Sequence, residues 1–296
     1  MTPLVEQLTL AVYVGASARR PTFSPSAFDD DTMKPNILVI AGHDPSGGAG
    51  IHADIEAIHD LGGLASTLIT ALTVQNSQHV LGFQLTDIDL LERQADALLA
   101  DYDFQAVKIG MTGSLATVRF IARLLARLPG VPVILDPVLA AESGGSLTRE
   151  SLGDAMIDEL APLCELLTPN LPEARLLAGD DETPGATSTQ SVARCGQRLC
   201  QRGARAVLIT GTHDDTDQVS NHLFRGTGET QSWHWQRLPH VYHGSGCTLA
   251  SSIACLRGLG MPLEQAVAEG QAHVDHYLRA AWRPGQGQHV PDRRTP

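Results

Sequence analysis

The chain reads as an α/β protein built on a central, mostly parallel sheet between helix layers, and three observations carry that reading. From about Pro35 onward, short runs rich in β-branched residues alternate with stretches of helical apolar period, and no linker breaks the series. The first run, NILVIAG over Asn36–Gly42, is apolar without alternation, the pattern of a strand covered on both faces. Polar side chains gather where strands end, which is the edge at which an open α/β sheet presents ligand contacts.

Composition sets the class. With 296 residues the chain has ample length to bury a core, and 43% hydrophobic with 18% charged residues is the balance of a globular protein. Aromatic residues are only 4%, so few rings are available to stack on bases, and a net charge of −12 argues against a polyanion. A nucleic-acid partner is therefore not expected. No apolar run reaches the 18 or so residues of a membrane span, so no membrane partner is expected either. Five cysteines without a C-x-x-C pair point to free thiols in a reducing, cytoplasmic compartment. The apolar piece LTLAVYVGASA follows Glu6 and precedes Arg19-Arg20, the reverse of a signal peptide's charge order. Residues 1–34 read as an extension, either a flexible or partner-contacting arm or the product of a start codon placed upstream of Met33. Residues 35–296 read as one domain.

The first strand runs into HDPSGGAG and then IHADIEAIHDLGG, where Ile51, Ile55, Ile58 and Leu61 share a helical face. The loop is not a P-loop, because no Lys-Ser/Thr follows the glycines, and GGAG is too compressed for a dinucleotide fingerprint. It is a ligand loop or a plain glycine turn. A second buried strand, Leu64–Ser77, ends in Thr73, Gln75, Asn76 and Ser77, which serve as ligand contacts or turn formers. An amphipathic helix over Asp87–Leu99, a strand and turn over Ala106–Ser114 and a helix over 115–128 follow. The buried strand Val131–Leu135 places Asp136 at its carboxyl end, a position suited to a metal-linked carboxylate. In LLTPNLPEA, Asn170 and Glu173 fall on one side of a helix's first turn, where a capping box explains the pair without any ligand. AVLITGTH, over Ala206–His213, reads as the final strand.

Near the end stands His243-Gly244-Ser245-Gly246-Cys247-Thr248, followed by Leu249, Ile253 and Leu256 at helical spacing. Cys247 and Thr248 should open a helix whose free N–H groups and dipole attract an anion. The same field should lower the Cys247 pKa and make its thiolate a base or nucleophile. A glycine-rich turn before a core helix, with Cys247 as a small buried residue, is the alternative.

Taken in order, AGHDPSGGAGIHAD, ITALTVQNS, VKIGM, LDPV, SGGSL, TPNLPEA, VLITGTH and HGSGCT resemble the hydroxymethylpyrimidine/phosphomethylpyrimidine kinases of the thiamine pathway, over about Ile37 to Pro291. The resemblance implies a ribokinase-like fold and ATP with a divalent metal, most simply Mg²⁺. It also implies phosphoryl transfer first to the pyrimidine hydroxymethyl and then to the monophosphate. Residue by residue, it implies that Asp54 and Gln75 bind the aminopyrimidine and that Gly42 and Met111 pack about its ring. Asn170 and Glu173 would hold the metal through water beside Asp136. Thr210, Gly211, Ser245 and Asn170 would contact ATP, and Gly244, Gly246 and Cys247 would form the anion hole and base. A homodimer is expected on the same ground. Pyridoxal kinase is the neighbouring alternative, favoured less by Asp54, Gln75 and HGSGCT, and a pyrimidine-binding protein without turnover is a further one.

The chain also departs from the family pattern. Glu142, Thr210 and His240 stand at usually basic positions, Thr212 at a glycine and His43 at a hydroxyl residue. Losing a buried cation beside a phosphate costs on the order of 2–5 kcal/mol. The second transfer, whose substrate already carries a phosphate, is therefore expected to be the weaker one unless arginines such as Arg225 or Arg237 substitute.

Overall fold

The computed structural model describes residues 34–139, 149–180, 188–211 and 217–294, together with the backbone of 11–14. Among these residues a sheet runs through the molecule with helices on both faces. Its strands are β1 (Ala11–Val14), β2 (Asn36–His43), β3 (Leu64–Gln75), β4 (Val80–Leu85), β5 (Ala106–Ile109), β6 (Val133–Leu135), β7 (Leu166–Leu167), β8 (Ala206–Ile209), β9 (Gln218–Arg225) and β10 (Thr230–Gln236). The spatial order is β1-β10-β9-β8-β7-β6-β5-β2-β3-β4. The pairs from β8 through to β3 are parallel, while β3/β4, β8/β9 and β9/β10 are antiparallel.

The helices are α1 (Gly50–Asp60), α2 (Ile88–Leu99), α3 (Leu115–Leu125), α4 (Arg149–Ala155), α5 (Leu171–Ala178), α6 (Ser188–Gln201), α7 (Ser245–Gly258) and α8 (Leu263–Arg279). Strand periodicity distributes them. Leu38, Ile40, Val107, Ile109, Leu135 and Val207 point to one face and join the core of α2 to α6. The intervening Ile37, Val39, Ala106, Ile134 and Leu208 point to the other and meet α1, α7 and α8. The two layers explain why the central strands read as continuous apolar runs. No helix among the described residues is long and apolar enough to cross a membrane.

Three sequence expectations shift. β3 is not buried on both faces, since it alternates and leaves Leu72 and Val74 exposed, because only its inner residues lie under helices. Ala206–Ile209 is not the final strand, because β9 and β10 extend the sheet with an antiparallel hairpin whose polar alternation hid it. The inward face of α1 carries Ile51, Asp54, Ala57 and Ile58 and leaves Ile55 exposed, so a carboxylate takes the place that periodicity gave to an isoleucine. Glu142 and Thr212 lie outside the described residues.

Candidate active site

Two glycine turns interlock at the carboxyl end of the sheet. After β2, Asp44 organises the first. Its Oδ1 accepts from Ser46 N and Oγ, both at 2.8 Å, and its Oδ2 accepts from Ala49 N at 2.9 Å. The same Oδ2 lies 2.7 Å from His243 Nε2, which belongs to the second turn. Burial works to raise the Asp44 carboxyl, but the hydrogen bonds from His243 and Ser46 outweigh it and hold the group well below the usual carboxylate range. Side-chain-free backbone makes the fit possible. A Cβ on Gly48 would lie 2.2 Å from His243 Cδ2. One on Gly244, whose φ is +77°, would lie 2.0 Å from Gly48 O.

Gly244 is the N-cap of α7, as the spacing predicts, and Thr248 Oγ1 closes the first turn on Gly244 O at 2.7 Å. The leading N–H groups of such a helix lack intrahelical partners and face outward as an anion cradle. Gly246 lies over the Asp136 carboxylate, its missing Cβ 3.8 Å from Oδ2. Beneath sits Lys108, fully buried, with Nζ 2.7 Å from Asp54 Oδ1. Burial opposes its charge, yet Asp54 and the neighbouring Cys247 and Asp136 raise the ammonium above its ordinary range, so Lys108 stays protonated.

This cluster overturns one expectation. The Cys247 thiol is pushed up to about 12, chiefly by burial and further by Asp136 and Asp54, although Lys108 pulls the other way. Desolvation and two carboxylates thus favour the thiol form of Cys247, which hydrogen-bonds the Asp136 side chain. Asp136 itself rises to about 6 through burial, moderated by Lys108.

Asp54, expected at the pyrimidine, is paired with this lysine. Its carboxylate is enclosed, with Oδ1 held by Lys108 and by Ser251 Oγ at 2.7 Å and Oδ2 buried without a partner. It is fully buried, on the face of α1 turned toward Lys108 of β5. Gln75, at the end of β3, is half-buried beside the second turn. Its Nε2 lies 3.4 Å from His243 Nε2, whose proton is directed to Asp44, and the amide is left to address a ligand. Gly42 and Met111 lie against one another, with the absent Gly42 Cβ 3.0 Å from Met111 Sδ and Thr70 Oγ1 fixing Met111 O at 2.5 Å.

On the far side of Asp136, Asn170 and Glu173 form a reciprocal capping box. Asn170 Oδ1 accepts from Glu173 N and Glu173 Oε2 from Asn170 N, each at 2.9 Å. The Glu173 carboxyl is nevertheless raised to about 8, first by burial and then by Asp136. The cap therefore coexists with an uncompensated acidic pair. No cluster of three or more His, Cys, Asp or Glu suited to a metal occurs among the described residues. Thr210 pairs with Asn170 across a parallel bridge, and Gly211 N donates to Asn221 Oδ1 at 3.0 Å. Of the two arginines considered as substitutes, Arg225 is engaged by Glu264, whereas Arg237 Nη2 reaches Gly211 O at 3.5 Å. His240 stacks on His289 with ring centroids 3.9 Å apart.

Sequence reasoning passed over Lys108 and Asp44. A lone lysine inside the apolar strand VKIG was the one visible signal.

Comparison with known proteins agrees with this geometry. The sequence model described as phosphomethylpyrimidine kinase matches residues 44–292. The chain is 36% identical over 251 residues to hydroxymethylpyrimidine/phosphomethylpyrimidine kinase of Rhizobium meliloti, covering 85% of this chain and 93% of that one. It is 35% identical over 252 residues to the thiamine biosynthesis multifunctional protein ThiED of Corynebacterium efficiens, covering 84% of this chain and only 33% of that longer protein. Among solved structures, phosphomethylpyrimidine kinase from Clostridium difficile aligns with a TM-score of 0.69 and 29% identity, over 83% of this chain and 100% of that one. Bacillus subtilis pyridoxal kinase, solved as an ADP complex, aligns with a TM-score of 0.80 at 23% identity, over 88% and 98%, a likeness of fold alone. The matched sequence runs from Asp44 in the first glycine turn to Asp292 beyond the second, and the chain belongs to the phosphomethylpyrimidine kinase family.

Proposed function

We propose that the protein transfers the γ-phosphoryl group of ATP to 4-amino-5-hydroxymethyl-2-methylpyrimidine and then to the resulting monophosphate, in thiamine biosynthesis. One observation carries the reading: the anion cradle of Gly244–Cys247 closes over Asp136, with Gln75, Gly42 and Met111 on one side and Asn170, Glu173 and Thr210–Gly211 on the other. A phosphate acceptor, a transferring group and a nucleotide fit that sequence of contacts. The pyridoxal kinase reading gains only the shared fold.

Phosphoryl transfer demands positioning and charge stabilisation more than covalent chemistry. Ser245, Gly246 and Cys247 supply backbone N–H groups to the phosphoryl oxygens. Thr210 and Gly211 border the nucleotide. Asp136 and Glu173, raised to about 6 and about 8 and repelling one another, are the donor set that a hard divalent cation relieves. A divalent cation such as Mg²⁺ would be held by Asp136 and Glu173 and would supply neutralising charge for the phosphates. Asp54 acts from below, by fixing Lys108.

With His240 held in its stack and Thr210 uncharged beside Asn170, few cations among the described residues face a substrate phosphate, so the second transfer is the slower of the two. The exposed apolar residues Leu72, Val74, Val80 and Leu81 on the β3/β4 edge support a homodimer, and five free cysteines support a cytoplasmic setting. ADP release with ATP, Mg²⁺ and either hydroxymethylpyrimidine or its monophosphate tests the activity. Turnover on the first substrate, with a lower rate on the second, is expected; silence on both, with pyrimidine still bound, refutes it.

A further inference from the structure

One fully buried charge lies outside the roles given above. Arg293 has a side-chain exposure of 0% and follows a segment laced along the site. His289 N donates to Val241 O at 2.9 Å, His289 O accepts from His243 N at 2.8 Å, and Gln288 N donates to Ser77 O at 2.9 Å. The segment thus borders both the stretch that enters the Gly244 turn and the residues just past Gln75.

Arg293 then enters the seam between the glycine turns. Its Nε donates to Thr248 Oγ1 at 2.8 Å, its Nη2 to Gly48 O at 2.8 Å and its Nη1 to Glu56 Oε2 at 3.1 Å. Thr248 Oγ1 passes the contact on by donating to Gly244 O, and Gly48 O is the atom against which Gly244 packs. One planar guanidinium therefore spans the first turn of α7, the Asp44–Gly50 loop and α1 with fixed donor spacing, which a lysine's single ammonium does not reproduce. Burying that charge, with the partly exposed Glu56 bound to it and the buried Asp54 near it, is a poor route to stability. It is an effective way to fix a distance.

We propose that Arg293 is a positioning residue for phosphoryl transfer, holding the Gly244–Thr248 cradle at its working distance from the Asp44–Gly50 loop. The inference rests on the reading of that cradle as the phosphoryl site. Displacing a reacting group by about 1 Å costs about 100-fold in rate, whereas the pyrimidine contacts at Gln75, Gly42 and Met111 are not touched by Arg293.

The test compares Arg293→Lys and Arg293→Ala with the unaltered protein, measuring kcat for ADP release and, by calorimetry, the Kd and stoichiometry of hydroxymethylpyrimidine binding. The expected result is a fall in kcat of about 100-fold for Arg293→Ala, with partial recovery in Arg293→Lys, and an unchanged stoichiometry with Kd within about threefold. Unaltered kcat overturns the proposal. So does a joint loss of kcat, affinity and stoichiometry, which marks a residue that only maintains the fold. If Arg293→Ala does not fold, Arg293→Lys carries the same comparison. Gly246→Val, which places a side chain over Asp136, separates the two readings. If it turns over normally, the cradle is misplaced; if it is inactive while the Arg293 variants are normal, only the role of Arg293 falls.

Discussion

Replacing Gly244 by alanine tests the interlock of the two turns with a magnitude that the geometry supplies. Two costs add. A φ of +77° is strained for any residue with a Cβ, by about 1–2 kcal/mol. The new methyl would also stand 2.0 Å from Gly48 O and 2.9 Å from Ala49 Cα, so the turns must part by about 1 Å to reach ordinary contact. A displacement of that size at a reacting centre costs about 100-fold in rate, or about 2.7 kcal/mol of barrier. Gly260 provides the control, because its φ is +83° and nothing lies within 4 Å of its missing Cβ. Gly260→Ala should therefore carry the backbone cost alone. The assay is ADP release at saturating ATP and hydroxymethylpyrimidine, with thermal unfolding recorded for both variants. Both should lose a few degrees of Tm, and only Gly244→Ala should lose about two orders of magnitude in kcat. Activity of Gly244→Ala within about threefold of Gly260→Ala would refute the argument that the seam fixes the phosphoryl site.

The remaining predictions concern the charges. Glu173, raised to about 8, binds a proton in the folded state over a range where the unfolded chain has released it, so the metal-free protein should lose stability as pH rises from about 4.5 through 8. Glu173→Gln keeps the acceptor for Asn170 N and should flatten that slope in pH-dependent urea unfolding, while Mg²⁺ binding to the unaltered protein should tighten over the same rise; an unchanged slope in the variant would count against the acidic pair. With its thiol at about 12, Cys247 should resist iodoacetamide at pH 7.5 as judged by peptide mass analysis, and rapid alkylation there would restore the thiolate reading. Lys108→Met leaves Asp54 buried without its counter-charge and should lower unfolding stability by about 3–5 kcal/mol in urea titration, whereas Lys108→Met combined with Asp54→Leu should recover most of it.

The fold was largely legible because its signals are local. Continuous apolar runs at β2, β5, β6 and β8 follow from helices covering both sheet faces, and Asp87, Ser114 and Asn170 each accept the N-cap hydrogen bond of the helix that follows. The hairpin of β9 and β10 escaped because its residues mix polar and apolar, as suits strands less fully covered by helices. The turns at Gly48 and Gly244 were visible as glycine turns at strand and helix ends, and their interlock through Asp44 and His243 was not.

The α/β class, the order of the central strands and their helices, and the family reside in short-range pattern and were legible from the chain alone. Only the tertiary structure decided the electrostatic states and partners of the site residues. Asp54 belongs to Lys108 and Ser251, Cys247 is a thiol and not a thiolate, and Arg293 joins turns almost 200 residues apart before it, because burial and counter-charge are set by chain segments that meet only on folding. No spacing along the chain carries that information.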